Sequence, residues 1–343
     1  MPNPYLPPEI LDSIVDFLHN YPTALKKCCL VSKSWIPRTR KHLFAYIILE
    51  TERNLTLWKR TFPDPSISPA HYTKRLVIGS PNIVTTTGAE EGDWIRGFSS
   101  VVRLEIDGQK ADRSKVSLLP FHGLSPIIKS LRVHFVVIPS SRAFDLILSF
   151  PLLEDLDVDV RAGSIDNDDE SNAPPTIVHP SGPMLTGSLQ LRLRGGMEPI
   201  ARRLLSLPGG IHFRELTLTW YHERDSSSTM ALVDKCSRTI EVLCITCFLR
   251  MSIRYRCPHN DRLCFPGAPV AAIDLSKATR LKGAVFRAML MDLGWITTAL
   301  RTITPKHQKL RKSRFTCTSA PPSPVSSVPT LDKPSENKNS DSG

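Results

Sequence analysis

Residues 153–160 read Leu153-Glu154-Asp155-Leu156-Asp157-Val158-Asp159-Val160. In extended chain, successive side chains leave on opposite faces, so Leu156 and Val158 share one face while Asp155, Asp157 and Asp159 share the other. A short alternating run of this kind fits a strand with one buried side. Its outline (apolar, two spacers, leucine, one spacer, apolar) returns as Val101-Leu104-Ile106, Ile128-Leu131-Val133, Phe213-Leu216-Leu218 and Ile240-Leu243-Ile245. Weaker copies are Thr73-Leu76-Ile78, Ser188-Leu191-Leu193 and Leu281-Ala284-Phe286.

The central positions 76, 104, 131, 156, 191, 216, 243 and 284 are separated by 28, 27, 25, 35, 25, 27 and 41 residues. Most of these steps lie near the ~20–29 residues of a leucine-rich repeat, with the two long ones read as loop insertions. Helical apolar spacing fills several intervals: Ser140 to Phe150 before Pro151, Met197 to Leu207 before Pro208-Gly209-Gly210, Thr229 to Cys236, and about Gly294 to Thr302. A strand followed by a helix that returns to a parallel neighbour is the unit of an α/β solenoid.

The alternation also assigns an open, concave face. It would carry Arg103, Glu105 and Asp107, then Arg132 and His134, then Asp155, Asp157 and Asp159, then Gln190, Arg192 and Arg194, then Glu215, Thr217 and Thr219. Neighbouring strands lie about 4.8 Å apart, which places Arg132 between Glu105 and Asp157. Two readings stay open for this ladder. It is either a recognition surface for a charged protein substrate, through Arg103, Glu105, Arg132, His134, Asp155, Asp157, Arg192, Arg194 and Thr217, or a solvated sheet whose charges pair among themselves.

The N-terminus has a different grammar. Pro7 and Pro8 suit a helix start, and Ile10, Leu11, Ile14, Val15, Phe17 and Leu18 follow at helical spacing. Asn20-Tyr21-Pro22 breaks the helix; Thr23 caps a second, Ala24 to Ser32, with Leu25, Cys28, Cys29 and Val31 inward; a third runs from about Ser34 to Phe44. Three helices this short cannot bury so many apolar side chains among themselves, and the surplus marks a partner surface.

The run Leu6-Pro7-Pro8-Glu9-Ile10-Leu11, the segment Cys28-Cys29-Leu30-Val31-Ser32-Lys33-Ser34-Trp35 and the closing Leu43-Phe44 resemble the F-box. Together with the repeats, the chain resembles F-box proteins with irregular leucine-rich repeats of the fungal, basidiomycete type. The stretches Ile273–Lys282 and Leu300–Pro305 are similar to their C-terminal repeats. The resemblance implies an α+β chain: a three-helix F-box at 1–50, a linker at 51–72, an α/β leucine-rich-repeat-like solenoid at 73–310 and a disordered tail at 311–343. It implies docking of a Skp-type adaptor, and through it a cullin scaffold, by Leu6, Pro7, Ile10, Leu11, Ile14, Leu30, Val31 and Trp35. The function implied is that of the substrate receptor of a ubiquitin ligase, holding an unknown protein for ubiquitin-dependent degradation. The alternative is a structural interaction protein whose helical head caps the solenoid.

The remaining signals are weaker. A net charge of +11 spread along 343 residues forms no aromatic-rich basic stripe, so nucleic acid is not an expected partner. No apolar run approaches the ~18 residues of a membrane span, and Met1-Pro2-Asn3-Pro4 is not a signal peptide. A cytoplasmic or nuclear chain with reduced cysteines is the expectation. Cys244, Cys247, Cys257, His259 and Cys264 lack the second tight pair of a zinc site, and Asp166 to Glu170 lacks the grammar of a calcium loop. No nucleophile elbow or phosphate loop is present. An enzyme, a metal and a cofactor are therefore not expected. From about Thr316 the composition turns to Ser, Pro, Lys and Asn, too polar to fold alone.

Overall fold

The computed structural model describes residues 7–64, 66–79, 93–107, 121, 124–136, 140–160, 183–193, 198–220, 225–247, 273–288, 294–307, 309–310 and 312–317. Helices and strands are mixed. Among the described residues, ten strands make one sheet: β1 (Tyr46–Leu49), β2 (Arg75–Ile78), β3 (Arg103–Asp107), β4 (Ser130–Val136), β5 (Asp155–Val160), β6 (Ser188–Leu193), β7 (Glu215–Trp220), β8 (Val242–Cys247), β9 (Gly283–Ala288) and β10 (Lys312–Cys317). Their spatial order is their sequence order, and every neighbouring pair is parallel.

All eight segments expected as strands are strands. Leu76, Leu104, Leu131, Leu156, Leu189, Leu216, Leu243 and Ala284 meet in register as one row, each 0–1 % exposed. Ile78, Ile106, Val133, Val158, Leu191, Leu218, Ile245 and Phe286 form a second buried row. Burying one such side chain contributes about 1.5–3 kcal/mol. Before several strands a tight turn seats a further apolar residue: Val101 N–H donates to the Phe98 carbonyl, Leu153 N–H to that of Phe150, and Leu281 N–H to that of Ala278. One carbonyl per repeat then sets where pairing begins. Lys74 O accepts from the N–H groups of Val102 and Arg103, Val102 O from Lys129 and Ser130, and Lys129 O from Glu154 and Asp155.

Between strands run α4 (Glu52–Thr61), α5 (Asp93–Arg96), α6 (Ser140–Leu148), α7 (Glu198–Leu205), α8 (Asp225–Cys236) and α9 (Gly294–Arg301), with α6, α7 and α8 packed in succession. The head comprises α1 (Pro8–Phe17), α2 (Pro22–Val31), a 3₁₀ turn at Lys33–Trp35 and α3 (Ile36–Leu43). Pro8, Pro22 and Pro37 each sit in a first helical turn, where a missing N–H costs nothing. Val15, Leu25, Cys28 and Thr39 form its small buried centre.

Several boundaries differ from the sequence reading. The sheet starts at Tyr46 rather than Thr73, because Ile47 and Leu49 are buried and pair with Leu76 and Ile78. The interval 51–72 is no plain linker. Thr51 caps α4 by accepting from Asn54 N–H, and Trp58 joins Phe44, Phe62 and Phe98 in an aromatic cluster with centroids 4.7–6.2 Å apart. The sheet also runs past residue 310, since Lys312–Cys317 pairs along β9, placing a strand in the expected disordered tail. The row centre in β6 is Leu189 rather than Leu191; Asp155 holds that register by accepting from Ser188 N–H and Oγ at 2.7 and 2.9 Å. In α2, Pro22 opens the helix and Thr23 does not cap it, while Val31 points outward. The third helix starts at Ile36, after a turn in which Ser34 N–H donates to Ser32 Oγ.

Leu131→Ala should lower the unfolding free energy by about 2–5 kcal/mol in denaturant titration. Leu152→Ala, at a side chain 50 % exposed, should change it by less than about 0.5 kcal/mol.

Candidate functional site

Two surfaces stand out. The first is on the head. Ile10, Ile14 and Phe17 recur along one side of α1, and Leu30 and Val31 end α2; all five are exposed, Leu30 by 87 % and Phe17 by 78 %. Tyr21 is exposed between the two helices. The 3₁₀ turn carrying Trp35 packs against α1, which brings the end of α2 towards it. Of the residues expected to dock an adaptor, Pro7, Ile10, Ile14, Leu30 and Val31 are exposed and Leu11 and Trp35 are half-buried. Leu6 lies outside the described residues. Phe17 and Tyr21 belong to the same apolar surface, and the helical spacing of Phe17 was the signal for it.

A charged clamp holds this face to the rest of the head. Asp16, one residue after the buried Val15, accepts from Arg38 Nε at 2.7 Å and from its Nη2, and pairs with His42 Nε2 at 2.7 Å. Arg38 and His42 lie on α3, so α1 and α3 are tied through one carboxylate. The Arg38 guanidinium, with His42 beside it, holds the Asp16 carboxyl well below the usual carboxylate range.

The second surface is the open face of β2–β6. Glu105 Oε1 takes the Nε atoms of Arg75 and Arg103, both at 2.7 Å, and its Oε2 lies 3.7 Å from Arg132 Nη1. Arg132 Nε donates to Asp157 Oδ2 at 2.9 Å, so it does sit between the two acids; His134 Nε2 is 3.0 Å from that same oxygen. Arg192 lies 3.9 Å from Asp157 and 3.8 Å from Asp159. Alternation placed these carboxylates on the open face, yet their side chains are only 5–13 % exposed, while the four guanidinium groups are 34–40 % exposed. Long arginines lie over short acids. Burial pushes Glu105 and Asp157 up, but their cationic neighbours outweigh it and hold both below the ordinary range.

Asp155 is spent on Ser188, and Thr217 is half-buried between Gln190 and Cys244. Arg194 lies outside the described residues. Arg75, Tyr46 and Ile48 were not assigned to this face from sequence. Arg75 precedes Leu76 as Arg103 precedes Leu104, a signal that was available. No group of three or more His, Cys, Asp or Glu side chains among the described residues is placed to hold a metal. Cys257, His259, Cys264 and the acidic run 166–170 are outside them; Cys28, Cys236 and Cys247 are buried, and burial pushes the Cys236 thiol up to about 11. No helix among the described residues is long and apolar enough to cross a membrane.

Removing the countercharge as Glu105→Gln should leave Arg75 and Arg103 without their shared carboxylate and cost about 1–3 kcal/mol in denaturant titration. Lys129→Ala, at an exposed pair with Glu154, should cost below about 1 kcal/mol. The acid limb follows from the lowered values of Asp16, Glu105 and Asp157. In the unfolded chain these groups protonate near ~4, in the folded chain only at lower pH. Their stabilisation is complete above ~4 and is lost as pH falls through the folded values. The melting temperature should drop below about pH 4, and less so in Asp16→Asn and Glu105→Gln.

No protein-family model matches this chain, and no curated protein matches it.

Proposed function

We propose that this chain is a non-catalytic substrate receptor of a cullin-type ubiquitin ligase. Its head is an F-box that docks a Skp-type adaptor, its sheet is an irregular leucine-rich-repeat solenoid, and the open face of the sheet holds a protein cargo. The observation that carries this reading is the exposure of Ile10, Ile14, Phe17, Leu30 and Val31. Large apolar side chains left uncovered together fit a protein-binding surface. Four of them, Ile10, Ile14, Leu30 and Val31, coincide with positions at which the resemblance places adaptor contacts. The strictly sequential parallel strands, with steps of 28, 27 and 25 residues from Leu76 to Leu156, support the repeat reading.

The mechanism is proximity. A cargo held beside a charged ubiquitin-conjugating enzyme meets it at a raised effective concentration, and bond formation belongs to that enzyme.

A second reading, a helical cap for the sheet, is favoured by Phe44, which runs straight from α3 into the aromatic cluster with Trp58 and Phe62. A cap of that kind leaves the outward side chains of α1 and α2 unexplained.

Capture of purified Skp-type adaptor by the full chain separates the two. The receptor reading expects binding that Leu30→Asp or Ile14→Asp weakens by at least about 2 kcal/mol, as at an interface hot spot, with unchanged melting because both side chains are exposed. No capture, or equal capture by both variants, would leave only the cap.

A further inference from the structure

Among the described residues the sheet ends at β1 and β10, each paired on one side only. The carbonyls of Ala45 and Leu49 accept from the N–H groups of Arg75 and Gly79, so they face β2. Ile47, between them in the two-residue period, faces β2 as well. The backbone N–H and C=O groups of Tyr46 and Ile48 therefore point away from β2, and they have no partner among the described residues. Tyr46 and Ile48 are 46 % and 40 % exposed, whereas Glu105, Asp159 and Thr219, open-face residues of inner strands, are buried.

The two edges differ in chemistry. β10 carries Lys312 and Arg314, and charge on an edge strand keeps other strands away. β1 reads Tyr46-Ile47-Ile48-Leu49, with no charged residue, proline or glycine. An edge left in that condition is a template for an added strand.

We infer that β1 pairs with β1 of a second copy of this chain, antiparallel about a twofold axis at Ile47. The inference goes beyond the receptor reading and does not rest on it. In that register Tyr46 of one protomer faces Ile48 of its partner, and Ile48 faces Tyr46. Each facing pair exchanges both N–H to C=O bonds, which satisfies every outward backbone group. Each pair also sets an aromatic ring against a β-branched side chain, a favourable cross-strand combination. Because α3 enters β1 at its start, antiparallel pairing carries the two heads to opposite ends of the joint.

Other occupants fit less well. Adding β10 of another copy to β1 would put Lys312 and Arg314 beside a strand already flanked by Arg75, and repetition would give an open filament. An unrelated extended peptide could meet the same backbone groups. The exposed pair, however, is matched by an aromatic and a β-branched residue two positions apart, which β1 itself supplies.

Sedimentation velocity of the full chain without adaptor, at about 0.15 M salt, reads the assembly. The joint is small, so a monomer–dimer equilibrium with a Kd on the order of 10 µM is expected. Tyr46→Glu with Ile48→Glu should weaken dimerisation about tenfold or more, and so should Tyr46→Lys with Ile48→Lys, since like charges then face each other. Mixing the acidic and basic variants should restore a dimer containing one copy of each. Leu152→Lys, at an exposed side chain away from β1, should leave dimerisation unchanged. Circular dichroism checks the fold of each variant. Independently of any variant, amide exchange at Tyr46 and Ile48 in the unaltered chain should slow as its concentration rises. An unaltered chain that stays monomeric well above the expected Kd overturns the inference, as does a dimer that leaves the exchange of those amides unchanged. Full dimerisation by either folded charge variant, a mixture that stays monomeric, an equal loss in Leu152→Lys, or growth into an open series of larger species does the same.

Discussion

The structure depends on one constraint: each strand must satisfy its backbone N–H and C=O groups against the strands that precede and follow it in sequence. Parallel neighbours cannot be joined by a tight hairpin, so the chain has to return to the same end before every new strand. That return explains the long steps between strands, the helices packed along one side, and the turn that seats an apolar residue ahead of the strand. The carbonyls of Lys74, Val102 and Lys129, each accepting from two successive N–H groups of the next strand, repeat the same starting geometry three times in a row. Once the start is fixed, the alternation of side chains is fixed with it, and the leucine row and the polar row fall on opposite faces without further specification.

The open face shows what such registration costs. Side chains at equivalent positions stand about 4.8 Å apart, so like charges in adjacent strands repel. From β3 to β5 the row reads Glu105, Arg132, Asp157, alternating in sign, and each acid settles beneath its arginines. Arg75 beside Arg103 breaks the rule, and both pair with Glu105. An isolated acid in this position would be raised by burial; here three guanidinium groups reverse the sign of the shift.

The eight central strands were legible because alternation and spacing are carried by single residues. The missed boundaries have physical causes. Phe44, Ile47 and Leu49 keep the spacing of the repeat with isoleucine in place of leucine, so the packing requirement is met while the letter is not. Leu310, Ser313 and Phe315 keep it with a serine at the centre, in a strand whose pairing with β9 supplies the order that its composition lacks. In β6 the leucines at 189, 191 and 193 alternate perfectly, so a shift of two residues leaves every side chain on its proper face; contact with Asp155 decides the register, and pattern cannot. Face assignment was also correct for Glu105 and Asp157, but exposure was not, because alternation gives direction and says nothing of a neighbour long enough to lie on top.

Phe44 links the two halves of the molecule. It closes α3, packs edge-on against Trp58 and Phe62, and stands three residues before Ile47, where the other repeats place their leading apolar residue. The head therefore continues directly into the sheet, α3 ending at Leu43 and β1 starting at Tyr46. The Asp16 clamp in turn fixes α1, which carries Ile10, Ile14 and Phe17, to α3. Under the receptor reading this matters more than the affinity of either surface. Proximity raises a reaction rate only when the cargo and the transferring enzyme are held in a limited range of geometries, and a loose joint would spread the cargo over a larger volume. The Asp16 contacts between α1 and α3, followed by the Phe44 cluster at the start of the sheet, are the kind of packed joint that a bridge between two partners requires.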